Sequence, residues 1–345
     1  MEKRSTPLGA IVIPVDFARR ATQLLSRTIS LVSVLQDAPF EVVVAHNDRG
    51  GLHDKLLQLW VRQFGNHSLR LVSGKFTEHV GHQSLLRNRA MEQVMSEIAL
   101  FLDVDIYPDK ALFAHLMTEV QKGTRLAMAP CLYLTARGTQ RLRSSGDVSA
   151  AMNDYLAFDR KCVLHMAMPS SVMSMKVVDY WQAGGFDERY YGHGYEDFDF
   201  MVRFAHWFAL VKPCFDVFVD KTYRAPLLAE GFRATLSQLA IANLLDEHVA
   251  LHLFHSNEMQ GPYRERRKKN ALLFQSVLID LYDSARQLST TGSRLELEAR
   301  FERECKQRAV DPQQFKVLSD NRAGHVGRGF SLQRQVRKIE KWVRQ

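Results

Sequence analysis

Cysteine is sparse in this sequence. Cys131, Cys162, Cys214 and Cys305 are the only four in 345 residues, and no two form a Cys-x-x-Cys pair. That scatter excludes a disulfide scaffold and a zinc knuckle and leaves reduced core thiols as the expectation. Long apolar runs are missing too: "AIVIPV" and "SEIALFL" fall far short of the ~20 residues that cross a bilayer. The opening "MEKRSTPLGAIVIPVDF" has too short an apolar run for a signal peptide and no small-residue cleavage site. The expectation is a cytoplasmic protein. No internal repeat, low-complexity tract or recognised nucleic-acid motif occurs, so nucleic acid is not an expected partner.

What is present describes a globular chain, 46% hydrophobic and 24% charged, long enough for a large core. Its net charge of +8 is lopsided. The last 25 residues, "NRAGHVGRGFSLQRQVRKIEKWVRQ", hold seven Arg or Lys and one Glu, and "RERRKK" covers 264–269. Leu332, Val336, Ile339 and Val343 fall on one face of a helix with basic residues opposite. Such a helix suits either an anionic membrane surface, peripherally on the inner membrane, or packing against the body of the protein.

The first hundred residues alternate strand-like and helix-like segments. "GAIVIPVDF", "FEVVVAHND", "LRLVSG" and "LFLDVDIYP" read as strands, separated by helical "ATQLLSRTISLVSVLQ", "LHDKLLQLWVRQF" and "SLLRNRAMEQVMSEIA". Continuous apolar strands in this order predict an α/β fold with a mostly parallel sheet flanked by helices. Ligands in such folds sit beyond the carboxyl ends of the strands, where Asp16, Asp48, Asp103 and Asp105 all fall. "ARGTQRLRSSGDVS" reads as a loop, and the chain from about 231 onward as helix-rich.

Three constellations could carry chemistry. Asp103 and Asp105, two apart on an expected strand, would point to one face and suit a divalent cation with a bound diphosphate; a solvated turn is the other reading. In "GGFDERYYGHGYEDFDFMVR" (184–203), glycines and aromatics surround Glu196, Asp197 and Asp199. Aromatic faces beside carboxylates suit a sugar, and a carboxylate near an acceptor hydroxyl can act as general base. An acidic helix start explains the same residues. His252 and His255, three apart, could share a metal or be structural.

Together these motifs resemble the inverting nucleotide-sugar glycosyltransferases with the GT-A fold, of the family 2 type. The signature W-G-W-G-x-E-D-x-D, with a later Arg, maps without gaps onto residues 191–199 and Arg203. Within that group the sequence is similar to the β-1,4-galactosyltransferase type and to bacterial capsule polymerases such as chondroitin synthases, over about residues 9–260.

The resemblance implies a Rossmann-like GT-A catalytic domain over 1–260, with a nucleotide-sugar half to about 110 and an acceptor half after it. A helical basic extension follows over 261–345. It implies Mn²⁺ or Mg²⁺ on Asp105, His255 and His252, and Asp103 on the ribose or the metal. Pro14, Asp16, Asp48 and Arg87 join Asp103 on the UDP-sugar, with Asp48 at the uracil end. Asp197 is the implied catalytic base; Glu196, Asp199, Gly194, His193 and Tyr191 face the acceptor. Tyr191 and His193 replace the two tryptophans of the signature, so sugar specificity does not transfer. The implied activity is inverting transfer of a Gal, GalNAc or GlcNAc type sugar to a saccharide or lipid-linked saccharide in capsule synthesis. A non-catalytic carbohydrate-binding or scaffold subunit of a capsule-assembly complex is the alternative.

Overall fold

In a computed structural model, residues 7–221, 223–256, 262–282 and 288–320 are described. The basic helix expected over 332–343, with its membrane and assembly contacts, lies outside them. The chain begins with β1 (Ala10–Asp16), α1 (Ala21–Leu35), β2 (Glu41–Asn47), α2 (Leu52–Phe64), β3 (Leu69–Gly74), α3 (Gln83–Met91), β4 (Ile98–Phe101) and α4 (Lys110–Gln121). Then come β5 (Leu126–Met128), β6 (Cys131–Leu134), α5 (Ala136–Ser145), α6 (Ser149–Leu156), β7 (Val163–Ala167), β8 (Met173–Lys176), α7 (Val177–Gln182) and α8 (Glu196–Trp207). The remainder comprises β9 (Asp220–Lys221), β10 (Glu230–Gly231), α9 (Phe232–Ser237), α10 (Ile241–Leu245), β11 (Ala250–His252), α11 (Pro262–Glu265), α12 (Arg267–Tyr282) and α13 (Ser293–Arg308).

The main sheet has the order β3-β2-β1-β4-β8-β5. The first four strands are parallel, and β8 runs antiparallel to both its neighbours. This is the mostly parallel, helix-flanked α/β layout of the GT-A expectation. β1 and β2 are buried at every position, as strands covered on both faces must be. Ile11 and Ile13 enter one apolar cluster with Leu31, Leu35 and Phe113, while Val12 enters the other with Phe101, Phe186 and Phe200; successive side chains point to opposite faces. A second sheet, β11-β6-β7, leaves the first where Ala129 and Pro130 carry the chain from β5 into β6.

Three sequence expectations are corrected. The strand read through "DVD" stops at Phe101, and Val104 and Asp105 lie in a turn closed by the Ile106 amide donating to the Asp103 carbonyl at 3.0 Å. The stretch read as a loop at 136–149 is largely helix α5, because the Thr135 hydroxyl accepts from the Gly138 amide at 3.0 Å and caps it. Strand β11 sits inside the segment read as helical, paired with β6 from Ala250 to His252. All four cysteines are buried and unpaired. Among the described residues no helix is long and apolar enough to cross a membrane.

Candidate active site

A cavity of about 1020 Å³ opens beyond the carboxyl ends of β1 and β4. Pro14 and Asp16 from the end of β1 line it, as do Asp103 and Asp105 from the turn after β4. Asp16 accepts from Arg49 Nε at 2.6 Å and Nη2 at 2.9 Å, and from the Ala18 amide at 3.0 Å.

Asp105 forms one wall. Its carboxylate, His252 at the end of β11 and His255 just beyond place ligand atoms within 4.8 Å of one another. Asp103 is outside this group. The two acids of "DVD" do not converge, because the turn sends Asp103 toward Arg87 and Asp105 toward Arg20 and Arg27. Burial pushes the Asp105 carboxyl up, but the hydrogen bond and charge of Arg20, with the charge of Arg27, outweigh it and hold it below the usual range. Burial lowers His252 to about 4 and lowers His255. Both rings are thereby kept neutral, the form that ligates metal. One carboxylate and two imidazoles fit a divalent transition ion such as Mn²⁺. The His252 ring stacks on Tyr133 at 4.2 Å, and Tyr133 stacks on His165 at 4.6 Å, which fixes the imidazole plane.

The facing wall is the start of α8. Phe200 and Phe204 are wholly buried, and Phe200 stacks on Phe186 at 4.6 Å. That packing anchors the helix and leaves Glu196 and Asp197 at its first turn, lining the cavity. Arg87 of α3, 1% exposed, reaches Asp197 Oδ1 at 2.6 Å and Asp103 Oδ1 at 3.0 Å. Burial opposes its charge, but Asp197 and Asp103 outweigh that and keep it protonated. Burial also raises Asp197; Arg87 opposes the rise and Asp103 adds to it. Glu196 is raised by burial and then by the Asp197 charge. Its Oε2 is buried without a partner among the described residues.

The glycine-rich loop before α8 is held by the segment after 260. Gly192 and Gly194 have φ of 75° and 84°, left-handed backbone that glycine adopts freely. Tyr195 shares it at 81° as the residue that starts the helix. Asn270, fully buried on α12, donates from Nδ2 to the Tyr191 and Gly194 carbonyls, both at 3.0 Å. The His193 amide donates to the Tyr263 carbonyl at 2.9 Å. His193 lines the cavity with its ring pushed down to about 4 by burial. Tyr263, Arg264 and Arg267 line the cavity as well, so the boundary expected at 260 runs through the site.

A family model described as glycosyltransferase like family 2 matches residues 10–278. The chain belongs to this glycosyltransferase family. Every residue of the two walls, and the α12 asparagine, falls inside the matched span. No curated protein matches the chain. Among solved structures it is similar to a mannosyltransferase from Pyrobaculum calidifontis in complex with GDP-Man and Mn²⁺, at 12% identity and a TM-score of 0.36, over 91% of this chain and 86% of that one. It is also similar to glucosyl-3-phosphoglycerate synthase from Mycobacterium tuberculosis in complex with Mn²⁺, UDP and glucosyl-3-phosphoglycerate. There the identity is 13% and the TM-score 0.35, over 79% of this chain and 78% of that one.

In this glycosyltransferase three sequence-expected site residues stand off the cavity lining. Asp48 turns its carboxylate to the Gly50 amide at 2.8 Å and to Gln58 Nε2 at 2.7 Å, a local turn contact that lowers its pKa. Asp199, one turn along α8, is wholly buried and takes Arg203 through Nε at 2.9 Å and Nη2 at 2.6 Å. Arg203 in turn donates to the Ala183 and Gly185 carbonyls, so the last acid of the signature braces the "GGF" turn. Tyr191 stacks on His79 at 3.9 Å and lies under Arg266 at 4.0 Å. The sequence reading missed Arg20, Arg27 and Asn270. A signal existed: Arg27 lies on the buried face of α1 with Leu24 and Leu31, and Asn270 on that of α12 with Phe274 and Val277.

Proposed function

We propose that the chain is an inverting, divalent-metal-dependent transferase. It moves a galactose, N-acetylgalactosamine or N-acetylglucosamine type sugar from UDP to a hydroxyl of a saccharide or lipid-linked saccharide, in the building of a capsule or other surface polysaccharide. The observation that carries this reading is the placement of a carboxylate–imidazole metal set and a raised carboxylate on facing walls of one cavity, joined through Arg87 and Asp103.

Asp105, His252 and His255 would hold the ion, which supplies Lewis-acid neutralisation of the departing diphosphate. Arg20 and Arg27 offer further positive charge to the same anion. Asp197 accepts the proton of the acceptor hydroxyl as its oxygen bonds to the anomeric carbon and the carbon–phosphate oxygen bond breaks. A raised pKa makes the ionised Asp197 a stronger base than an ordinary aspartate. Arg87 holds that ionised form in place. The loop over 190–195, pinned by Asn270, shields the reacting carbon from water.

The test is calorimetric titration of UDP with and without Mn²⁺ on wild type and Asp105→Ala, followed by NMR of the anomeric configuration of any product from a donor-sugar screen. Metal-dependent UDP binding that vanishes in the variant, with an inverted product, supports the proposal. No UDP binding by wild type in Mn²⁺ sinks it and favours the non-catalytic carbohydrate-binding reading.

A further inference from the structure

The cavity holds more arginine than its carboxylates occupy. Arg20 and Arg27 are committed to Asp105, and Arg87 to Asp103 and Asp197. Arg233 and Arg267 differ. Arg233, 13% exposed at its side chain, donates from Nε to Asp220 at 2.6 Å. Asp220 also accepts from the Tyr195 hydroxyl at 2.7 Å and is absent from the cavity lining. The carboxylate therefore holds the guanidinium from behind. The terminal nitrogens of Arg233 have no hydrogen-bond partner among the described residues, and Arg267 has neither hydrogen bond nor ion pair among them.

Both cations rest on aromatic faces. Arg233 lies 4.3 Å from the Phe198 ring centre and Arg267 4.8 Å from that of Tyr195; the two rings are 6.2 Å apart, edge to face. Tyr195 and Phe198 bracket Glu196 and Asp197 in the sequence. Two guanidinium groups with open donors thus line the cavity and rest on the rings that neighbour the carboxylate pair in sequence. These donors open to the cavity, and a fork of N–H groups matches the planar oxygens of a carboxylate or phosphate. A neutral saccharide offers them hydroxyl oxygens but no opposite charge and no planar pair of oxygens.

We infer that the acceptor is anionic, a saccharide bearing a carboxylate or a phosphate, and that Arg233 and Arg267 receive that group. Assigning the anion to the acceptor rests on the transfer reading above; the anion site itself does not.

Saturation-transfer NMR titrations of the full chain compare methyl β-D-glucuronide, N-acetylglucosamine 1-phosphate and neutral methyl β-D-glucoside, on wild type, Arg233→Gln and Arg267→Gln. UDP with Mn²⁺ is titrated into the same samples. The expectation is that one charged probe binds wild type about tenfold more tightly than the glucoside, as charge-assisted hydrogen bonds warrant. Each substitution removes most of that preference and leaves UDP affinity unchanged. Which charged probe wins separates carboxylate from phosphate. Arg267 makes no ion pair among the described residues, so its variant tests the site even where Arg233→Gln fails to fold. Equal binding of charged and neutral probes overturns the inference, as does a loss of UDP affinity matching the loss of probe affinity, which gives the arginines to the donor. Charged-probe preference in a wild type that binds no UDP sustains the anion site and strikes the transfer reading alone.

Discussion

Arg87 and Asp197, 110 residues apart in sequence, meet across 2.6 Å, and the same guanidinium reaches Asp103 at 3.0 Å. One buried cation therefore couples the turn after β4 to the first turn of α8. The acidity of Asp197 is set by this contact working against burial.

Replacing Asp197 with Asn keeps the shape and removes the proposed base. Turnover is expected to fall by about 10²–10⁴-fold, the usual worth of general base catalysis, while metal-dependent UDP binding stays. Single-turnover kinetics beside calorimetry checks it, and near-wild-type turnover would reassign the base.

The pH dependence has a definite sign. Asp197 acts only when ionised, and its pKa is raised, so activity is lost as pH falls through a value above the ordinary aspartate range. Arg87 lowers that value. Arg87→Met is expected to move the acid limb of kcat/KM to higher pH and to destabilise the fold by about 3–5 kcal/mol, as breaking a buried ion pair does. A pH–rate profile and a denaturation curve read the two effects separately; an unmoved limb would mean Arg87 only fills space.

Chelation is expected to abolish transfer, and Mn²⁺ to restore it. His252→Ala should weaken the metal-dependent part of UDP binding without changing the metal-free part. Calorimetry in EDTA and in Mn²⁺ separates these, and a variant with an intact metal response would remove His252 from the ligand set.

Asn270→Ala leaves two loop carbonyls without their shared donor. The expected cost is about 1–3 kcal/mol of stability, with lower kcat and more hydrolysis of donor by water once the loop loosens. Gly194→Ala should act alike: φ is +84°, and an added Cβ would run into Arg267 Nη1. Comparing UDP-sugar hydrolysis with transfer checks both, and an unchanged ratio would argue against a shielding loop.

Strands β1 and β2 were legible because their apolar runs are continuous, whereas β4 was read too long, since the apolar residues between and after the two acids imitate a strand. The short strands were not. β11 has three residues and takes its strand character from pairing with β6 rather than from any local pattern. The same applies to β8, which inserts antiparallel between two strands that precede it in sequence. In the site, Asp105, His252 and His255 come together as expected, while Asp48 and Asp199 do not line the cavity. Asp199 shows why: spacing along a helix shows that it shares neither the face nor the depth of Asp197, and only the position of Arg203 settles what it serves. Arg27 stood out on the buried face of α1, but nothing local tells which carboxylate an arginine meets when its partner lies 85 residues away, as for Arg20, or 78, as for Arg27.

The clamp from Asn270 to the Tyr191 and Gly194 carbonyls spans 79 and 76 residues, and it has a consequence for the order of synthesis. A chain emerging from the ribosome carries the "DVD" turn early and the α8 acids later, yet the loop between the two walls stays unpinned until α12 has emerged. The loop is therefore set in place only near the end of the family-matched span.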